Sequence, residues 1–442
     1  MELKVRISPL IADNSKEFAS LFDLQKFGNF ERFNKETLNT RGSENPPVKL
    51  GRNMKFKLSK FDILHFDEIE IVTTSGGAFK DGNIIQENAA AFGTHNFVHK
   101  NYNDFKRLQN RYFIPLNWME IKQSIKVLLS AIIGKEAKRL QNHNPKILFH
   151  SPNWDCFSHF SFEEFPRLLA TLKEFYMRNC KIGGGSRGEN SQNLPDSAKI
   201  DFNNLIIIAP IRNSWQFNQY IYPALLSITK EHNPNLPFAI KKENIVCVNN
   251  AKIPQKALIK AKNVFLPTQV KCNKTYLQDA MVFLREFYYD ENFSQGTERI
   301  YISRQKSARR FLINEMEVRE LLENKYGFKT LFMEEVSFKD KINYLSRASV
   351  LISVDGTSVM NYGYMKEGSK VVALRPFNMA EYPIDEIFGV EFLPIVCEID
   401  KATQKDTDHL DGFIGTWWAS NLIVDIAYLE DRLNVYGISP IN

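Results

Sequence analysis

The sequence has little of what would mark a disulfide-stapled, zinc-organised or membrane-spanning protein. Its 442 residues hold five cysteines, at 156, 180, 247, 272 and 397, an odd number with no pair at CxxC spacing. That excludes a disulfide framework and a zinc site built on cysteine pairs, and a reducing compartment is expected. No apolar run reaches the roughly 18–20 residues needed to span a bilayer, and the opening MELKVRISPLIADNSKEF lacks the apolar stretch of a secretion signal. A soluble or peripherally bound chain follows. The glycine run GGGSRG at 183–188 is not followed by the GK[ST] that makes a phosphate-binding P-loop. Basic side chains outnumber acidic ones by only 57 to 51 and are spread along the chain. This excludes the clustered basic stripe of a nucleic-acid-binding protein, while suiting phosphate-bearing ligands or anionic lipid headgroups.

What the chain does have is apolar content, 43% of residues over a length that exceeds one ordinary core, so two principal domains are expected. Residues 1–60 are polar and irregular and read as an extension. In 61–252, the alternating EIEIVTTSGGAFKDGNII, broken by Gly76-Gly77 and Asp81-Gly82, predicts a small antiparallel β element. Short apolar runs at Ile147–Phe149, Leu205–Ala209 and Ile245–Val248 then alternate with helical stretches such as Phe165–Met177, the rhythm of a parallel sheet with covering helices. A Gly-, Ser- and Asn-rich loop at 182–200 interrupts it. Ile125–Leu140, apolar on one face and basic on the other, suits a packed helix or one lying on a membrane surface.

A second α/β domain is assigned to 253–410, and an apolar stretch at 411–442, with Trp417, Trp418, Tyr428 and Leu429, to a helix packing back on the domains. The clearest pattern runs from Arg299 to Pro376. Arg299–Ser303, Phe328–Met333, Val350–Val354 and Lys370–Leu374 read as strands. Between them, Asn314–Tyr326 reads as a helix capped by Asn314 with Glu317 at the capping-box position and stopped by Gly327. Ser337–Ala348 reads as another, capped by Ser337 and burying Phe338, Ile342 and Leu345. Strand–helix alternation with short loops is a doubly wound sheet, in which ligands lie beyond the carboxyl ends of the strands. Arg304, Glu334, Glu335, Asp355 to Ser358 and Arg375 stand there. Arg304, Arg309 and Arg310 supply guanidinium forks that fit a diphosphate. The turn Asp355-Gly356-Thr357-Ser358 leads from strand into helix, where backbone N–H groups favour anions, and Asn361 follows at the helix start.

These residues carry a resemblance. YISRQKSARRFLINEMEV and LFMEEVSFKDKINYLSRASVLISVDGTSVMNYGYMKEGSKVVAL, preceded in the expected order by CFSHFSFEEFPRL at 156–168, resemble glycosyltransferase family 61, the DUF563 or capsular-polysaccharide-biosynthesis group. The resemblance implies a GT-B-like α/β fold of two facing Rossmann-type domains, with the small β element at the N-terminal side. It also implies a nucleotide held by the C-terminal domain, an acceptor held by the N-terminal one, and inversion at the anomeric carbon. Where the family usually has His-Gly-Ala-Gly, this chain has Asp355-Gly356-Thr357-Ser358. A carboxylate beside the expected phosphates implies either a different donor or a group that neutralises it, for which Lys341, standing where the family often has Gln, is the candidate.

Inversion needs a general base on the acceptor side and stabilisation of the departing phosphate opposite it. His159, Glu163 and Glu164 are the base candidates. The spacing puts His159 and Glu163 on one helix face, where a carboxylate orients the ring; a buried, structurally satisfied histidine is the competing reading, and Arg167 reads as a helix anchor. The donor-side set is Arg304, Arg309, Arg310, Glu335, Lys341, Asp355, Gly356, Thr357, Ser358 and Asn361. No metal or other cofactor is expected. Asp406-Thr407-Asp408 matches the metal-binding DxD pattern but follows the sheet in a polar loop. His95 and His99 share helical spacing without a HExxH glutamate. The expected activity is metal-independent transfer from a nucleoside-diphosphate sugar, with a UDP-sugar as the reference case, to a glycan or lipid-linked glycan in bacterial capsule, lipopolysaccharide or lipooligosaccharide assembly. The expected setting is the cytoplasm, with contact at the inner face of the plasma membrane. The alternative is a catalytically silent nucleotide- or glycan-binding protein of the same fold, which the altered turn at Asp355 favours.

Overall fold

The computed structural model describes residues 61, 63–72, 78–80, 83–84, 139–149, 157–184, 199–211, 215–238, 240–250, 258–268, 274–293, 299–307, 310–375, 387–400 and 421–441. These fall into two compact units, the first running to Thr268 and the second starting at Lys274. Among the described residues no helix is long and apolar enough to cross a membrane.

The first unit is built on one seven-stranded sheet. Its strands are β1 (Ile63–Val72), β2 (Ala78–Lys80), β3 (Asn83–Ile84), β4 (Lys146–Leu148), β5 (Ile206–Ile211), β6 (Ile245–Asn250) and β7 (Leu258–Pro267), in the order β3-β2-β1-β7-β4-β5-β6. β7, β4, β5 and β6 run parallel, and β1 to β3 add an antiparallel meander on β7. The apolar runs of β4 and β5 are buried, as expected of strands covered on both faces. The helix α1 (Phe165–Gly184) covers the sheet with a stripe of Phe165, Leu168, Leu172 and Phe175, all fully buried at helical spacing. Each such side chain stabilises the unit by about 1.5–3 kcal/mol relative to exposure. Phe175 meets Phe265 of β7 edge-on at 5.0 Å between ring centroids.

The small antiparallel β element is present as β1 to β3, and it forms the antiparallel flank of the main sheet, joined through the nine-pair register of β1 with β7. The sheet also claims Leu258–Pro267, so the first unit extends past the expected boundary at 252/253. Lys260, Lys262 and Asn263 interrupt the apolar pattern of β7 and conceal it. Opposite two of them, in register, stand Glu70 and Glu68 of β1, a cross-strand charge match that no local pattern reveals.

The second unit has a five-stranded, fully parallel sheet. β8 (Arg299–Ser303), β9 (Lys329–Phe332), β10 (Val350–Val354), β11 (Lys370–Arg375) and β12 (Glu391–Val396) take the order β12-β11-β10-β8-β9. The chain steps from β8 outward to β9, then crosses back to β10 on the other side. The topological switch point is therefore between β8 and β10, and a doubly wound sheet opens its ligand crevice beyond those two carboxyl ends. Helix α2 (Lys274–Tyr288) packs on α4 (Phe338–Arg347), while α3 (Glu315–Glu320) and the C-terminal α5 (Ile426–Val435) share a core with Ile352, Val372 and Leu393. Leu429 is thus core and Tyr428 is exposed.

The expected α4 is confirmed in detail. Ser337 accepts from the Asp340 amide at 3.1 Å, and Phe338, Ile342 and Leu345 are buried. Gly327, at φ +68, ends the preceding helix as expected, and the Phe328 amide reaches back to the Leu322 carbonyl. Asn314 stands at the N-cap position of α3, as expected, but its side chain makes no cap hydrogen bond. Its side chain instead pairs with the backbone of Val424, donating to the carbonyl at 2.8 Å and accepting from the amide at 3.0 Å. It serves as a clasp for the C-terminal segment, because the partner 110 residues away satisfies both ends of the amide.

Candidate functional site

In the first unit, the helical run after β4 begins at Phe157–His159, passes through a π-helical turn, Phe160–Glu164, and continues as α1. β4 leads into this run and α1 leads back to β5, so its start lies at the carboxyl edge of the parallel strands. The π-helical turn widens the helix where His159 and Glu163 meet, a feature that recurs at functional sites. His159 Nδ1 is 3.1 Å from Glu163 Oε1; the imidazole is about one-third exposed, with a side-chain accessibility of 36%, and the carboxylate is largely buried. With Nδ1–H donating to the carboxylate, Nε2 is the ring atom that accepts a proton. Glu164 points elsewhere: it is fully buried and bonded to Arg167 through Nη2 at 2.5 Å and Nε at 3.2 Å. Of the three base candidates, the structure couples His159 with Glu163 and assigns Glu164 to a buried ion pair that holds the helix start.

In the second unit, the switch point gathers most of the donor-side residues. Arg304 follows β8, is nearly buried, and donates from Nε to the Arg310 carbonyl at 3.0 Å and from Nη1 to Ser358 Oγ at 3.1 Å. It therefore ties the loop after β8 to the turn after β10. Arg310 holds a left-handed backbone, φ 57, unusual for a residue with a side chain. Such strain, about 1–2 kcal/mol, persists where surroundings impose it and clusters at ligand sites. Its guanidinium lies against Gly356, where an added Cβ would come 2.7 Å from Nη1. Gly356 is required twice over, by that approach and by its own φ of +118.

Asp355 is neutralised by Arg375, not by Lys341. β10 and β11 are in parallel register with Val354 opposite Leu374, so the next residue of each strand end is brought alongside the other. Arg375 Nη2 donates to Asp355 Oδ2 at 2.6 Å, and the Gly356 amide donates to Oδ1 at 2.8 Å. Lys341 is buried in the first turns of α4 with its ammonium 5.6 Å from the centre of the Tyr364 ring. Desolvation pushes its pKa well below that of an ordinary lysine.

The turn does not open an α-helix. Val359–Tyr364 is a 3₁₀ segment of six residues, so the helix dipole adds little, and the anion-binding weight rests on the two guanidinium groups. Asn361 is buried and donates to the Ser358 carbonyl at 2.7 Å, while its Oδ1 has no hydrogen-bond partner among the described residues. Thr357 is half-buried within the turn. Glu335 stands at the flank, exposed and paired with Lys306. Arg309, His95, His99, Asp406, Asp408, Trp417 and Trp418 lie outside the described residues. Among the described residues no group of three or more His, Cys, Asp or Glu side chains is placed to hold a metal.

The functional role that sequence reasoning missed is that of Arg375. Its position after a strand was legible, but its pairing with Asp355 depends on which strands are neighbours. Comparison with known proteins adds one finding: residues 157–372 match the family model described as Glycosyltransferase 61. The match begins at the helical turn carrying His159 and ends within β11, so it takes in both edges described above. No curated protein matches the chain.

Proposed function

From the premise that residues 157–372 place the chain in glycosyltransferase family 61, and so among the glycosyltransferases, we propose an inverting, metal-independent transfer. The donor is a nucleoside-diphosphate sugar, with a UDP-sugar as the reference case, and the acceptor is a glycan or lipid-linked glycan of cell-surface polysaccharide or lipooligosaccharide. The setting is the cytoplasmic face of the membrane. The arrangement proposed is GT-B, with the second unit binding the donor and the first presenting the base.

The observation that carries this reading is the convergence of Arg304, Arg310, Gly356 and Ser358 at the switch point of the second sheet. Two fixed guanidinium groups there match the charge that grows on a departing diphosphate, the task a divalent cation performs elsewhere. The Arg375 partner of Asp355 removes the objection that a carboxylate would repel that leaving group. Asn361 Oδ1, an acceptor with no hydrogen-bond donor among the described residues, suits a hydroxyl of the sugar donor.

On the acceptor side, His159 Nε2 takes the proton of the attacking hydroxyl as its oxygen bonds to the anomeric carbon. The bond to the diphosphate breaks on the opposite face, its electron pair leaving with the phosphate oxygen, and the configuration inverts. Glu163 keeps the ring in the right tautomer and stabilises the imidazolium that forms. A base of this kind contributes about 10²–10⁴-fold to the rate.

The reading is tested by thermal stabilisation with UDP, GDP, CDP and their sugars in the presence of EDTA. A ligand that binds the folded state raises Tm. A shift with one diphosphate nucleotide, smaller in Arg304→Ala, is expected; no shift with any nucleotide, or one abolished by EDTA, contradicts the metal-free site.

A further inference from the structure

Trp215 stands four residues beyond the end of β5, on the same carboxyl edge as His159, because β4 and β5 are adjacent and parallel. It is one of the few large apolar residues left open to solvent in the described part of the first unit, at 44% exposure. Its position is nevertheless determined by contacts. The indole meets the buried Tyr220 ring edge-on at 5.6 Å, and Tyr220 in turn packs on Phe157 at 4.9 Å. The neighbouring Gln216 accepts from the Phe157 amide at 2.8 Å. Phe157 is two residues before His159, so these contacts clamp Trp215 to the helical turn that carries the proposed base.

A rigid, half-exposed indole beside a proton-accepting histidine has a specific use in sugar chemistry. The C–H face of a pyranose ring is apolar and slightly positive, whereas the face of an indole is apolar and negative, so the two stack. We propose that Trp215 is the platform on which the acceptor sugar stacks while its hydroxyl is presented to His159. This rests on the assignment of the acceptor to the first unit. Among the described residues of the first unit the other large apolar side chains left exposed, Tyr176 and Met177, lie farther along α1, so the indole offers a face the size of one sugar ring. The indole is already packed edge-on against Tyr220, so little freedom is lost when a ligand arrives.

The test is saturation-transfer NMR on the full chain with methyl β-glucoside, β-galactoside, β-xyloside and N-acetyl-β-glucosaminide. The wild type is compared with Trp215→Ala and Trp215→Phe. Saturation of the C–H face of at least one glycoside is expected, with affinity reduced about tenfold in Trp215→Ala, the order of a stacking contact at a binding hot spot. Trp215→Phe should retain most of it, and UDP binding should be the same in all three. If Trp215→Ala melts early, Trp215→Leu, which keeps the bulk without the π face, replaces it. Equal signals in the wild type and the Ala or Leu variant, or no signal from any of the four glycosides, overturn the platform. Loss of stacking in Trp215→Ala beside full transfer by His159→Ala would leave the platform standing and remove the base assignment; unchanged stacking beside an inactive His159→Ala would do the reverse.

Discussion

Each unit has a carboxylate–guanidinium pair behind its carboxyl edge, fully buried in the first and largely buried in the second, and the two pairs are built differently. Glu164 and Arg167 lie three residues apart in one helical run. Asp355 and Arg375 lie twenty apart and meet only because β10 and β11 are parallel neighbours in register. The first pair steadies a helix start behind His159, the proposed base. The second joins two strand ends beneath a turn that faces the expected phosphates. Local chemistry thus organises one edge and topology the other, and damage to each should appear in a different readout.

Removing the guanidinium of either pair is the largest perturbation, because it leaves a buried carboxylate uncompensated at a cost of about 3–5 kcal/mol. Arg375→Ala and Arg167→Ala should both melt well below the wild type. At temperatures where both remain folded, Arg375→Ala should weaken nucleotide binding and Arg167→Ala should lower kcat while sparing it, as calorimetry and initial rates will show. The same loss of nucleotide affinity in both variants would erase the distinction between the edges.

Glu163→Gln should have an intermediate effect. It keeps a hydrogen-bond acceptor for His159 Nδ1 but removes the charge that stabilises the imidazolium. A fall of roughly tenfold in kcat, with acceptor KM little changed, is expected from steady-state kinetics. A kcat equal to that of the wild type would reduce Glu163 to a packing residue. The smallest effect is expected from Gly356→Ala, which places a methyl group against Arg310 and forces a positive φ. About 1–2 kcal/mol of stability should be lost, read by denaturant titration, with nucleotide affinity falling as the Arg310 guanidinium is displaced.

The difference between the edges also explains what the sequence disclosed. β8 and β10 were legible because contiguous apolar runs end at charged or turn residues, and α4 because Ser337 and Asp340 cap it from within four residues. His159 and Glu163 were found as a pair because helical spacing alone brings them together. β7 was missed because its lysines break the apolar run, and the glutamates that stand opposite them come from β1. β12 was missed because Glu391 and Pro394 make it read as loop, although an edge strand tolerates both. Asn314 was assigned the cap its residue type favours, yet a backbone partner more than a hundred residues away took both ends of its amide. Lys341 was nominated for Asp355 from the family resemblance, and strand register gave the role to Arg375. The 3₁₀ form of Val359–Tyr364 was hidden by the helix-like run VMNYGY. In each failure the deciding contact was long-range, or the distinction was between two closely related local helices.

The central claim is a division of labour: donor binding at the edge of the second unit, proton removal at the edge of the first. Its most direct test is to measure nucleotide-diphosphate affinity and single-turnover transfer side by side in Arg304→Ala and His159→Ala. Arg304→Ala should lose roughly 10- to 100-fold in affinity, the size of a charge-assisted contact. His159→Ala should bind nucleotide like the wild type and transfer about 10²–10⁴ times more slowly. If His159→Ala loses the nucleotide and Arg304→Ala keeps it, the two edges have been assigned the wrong way round.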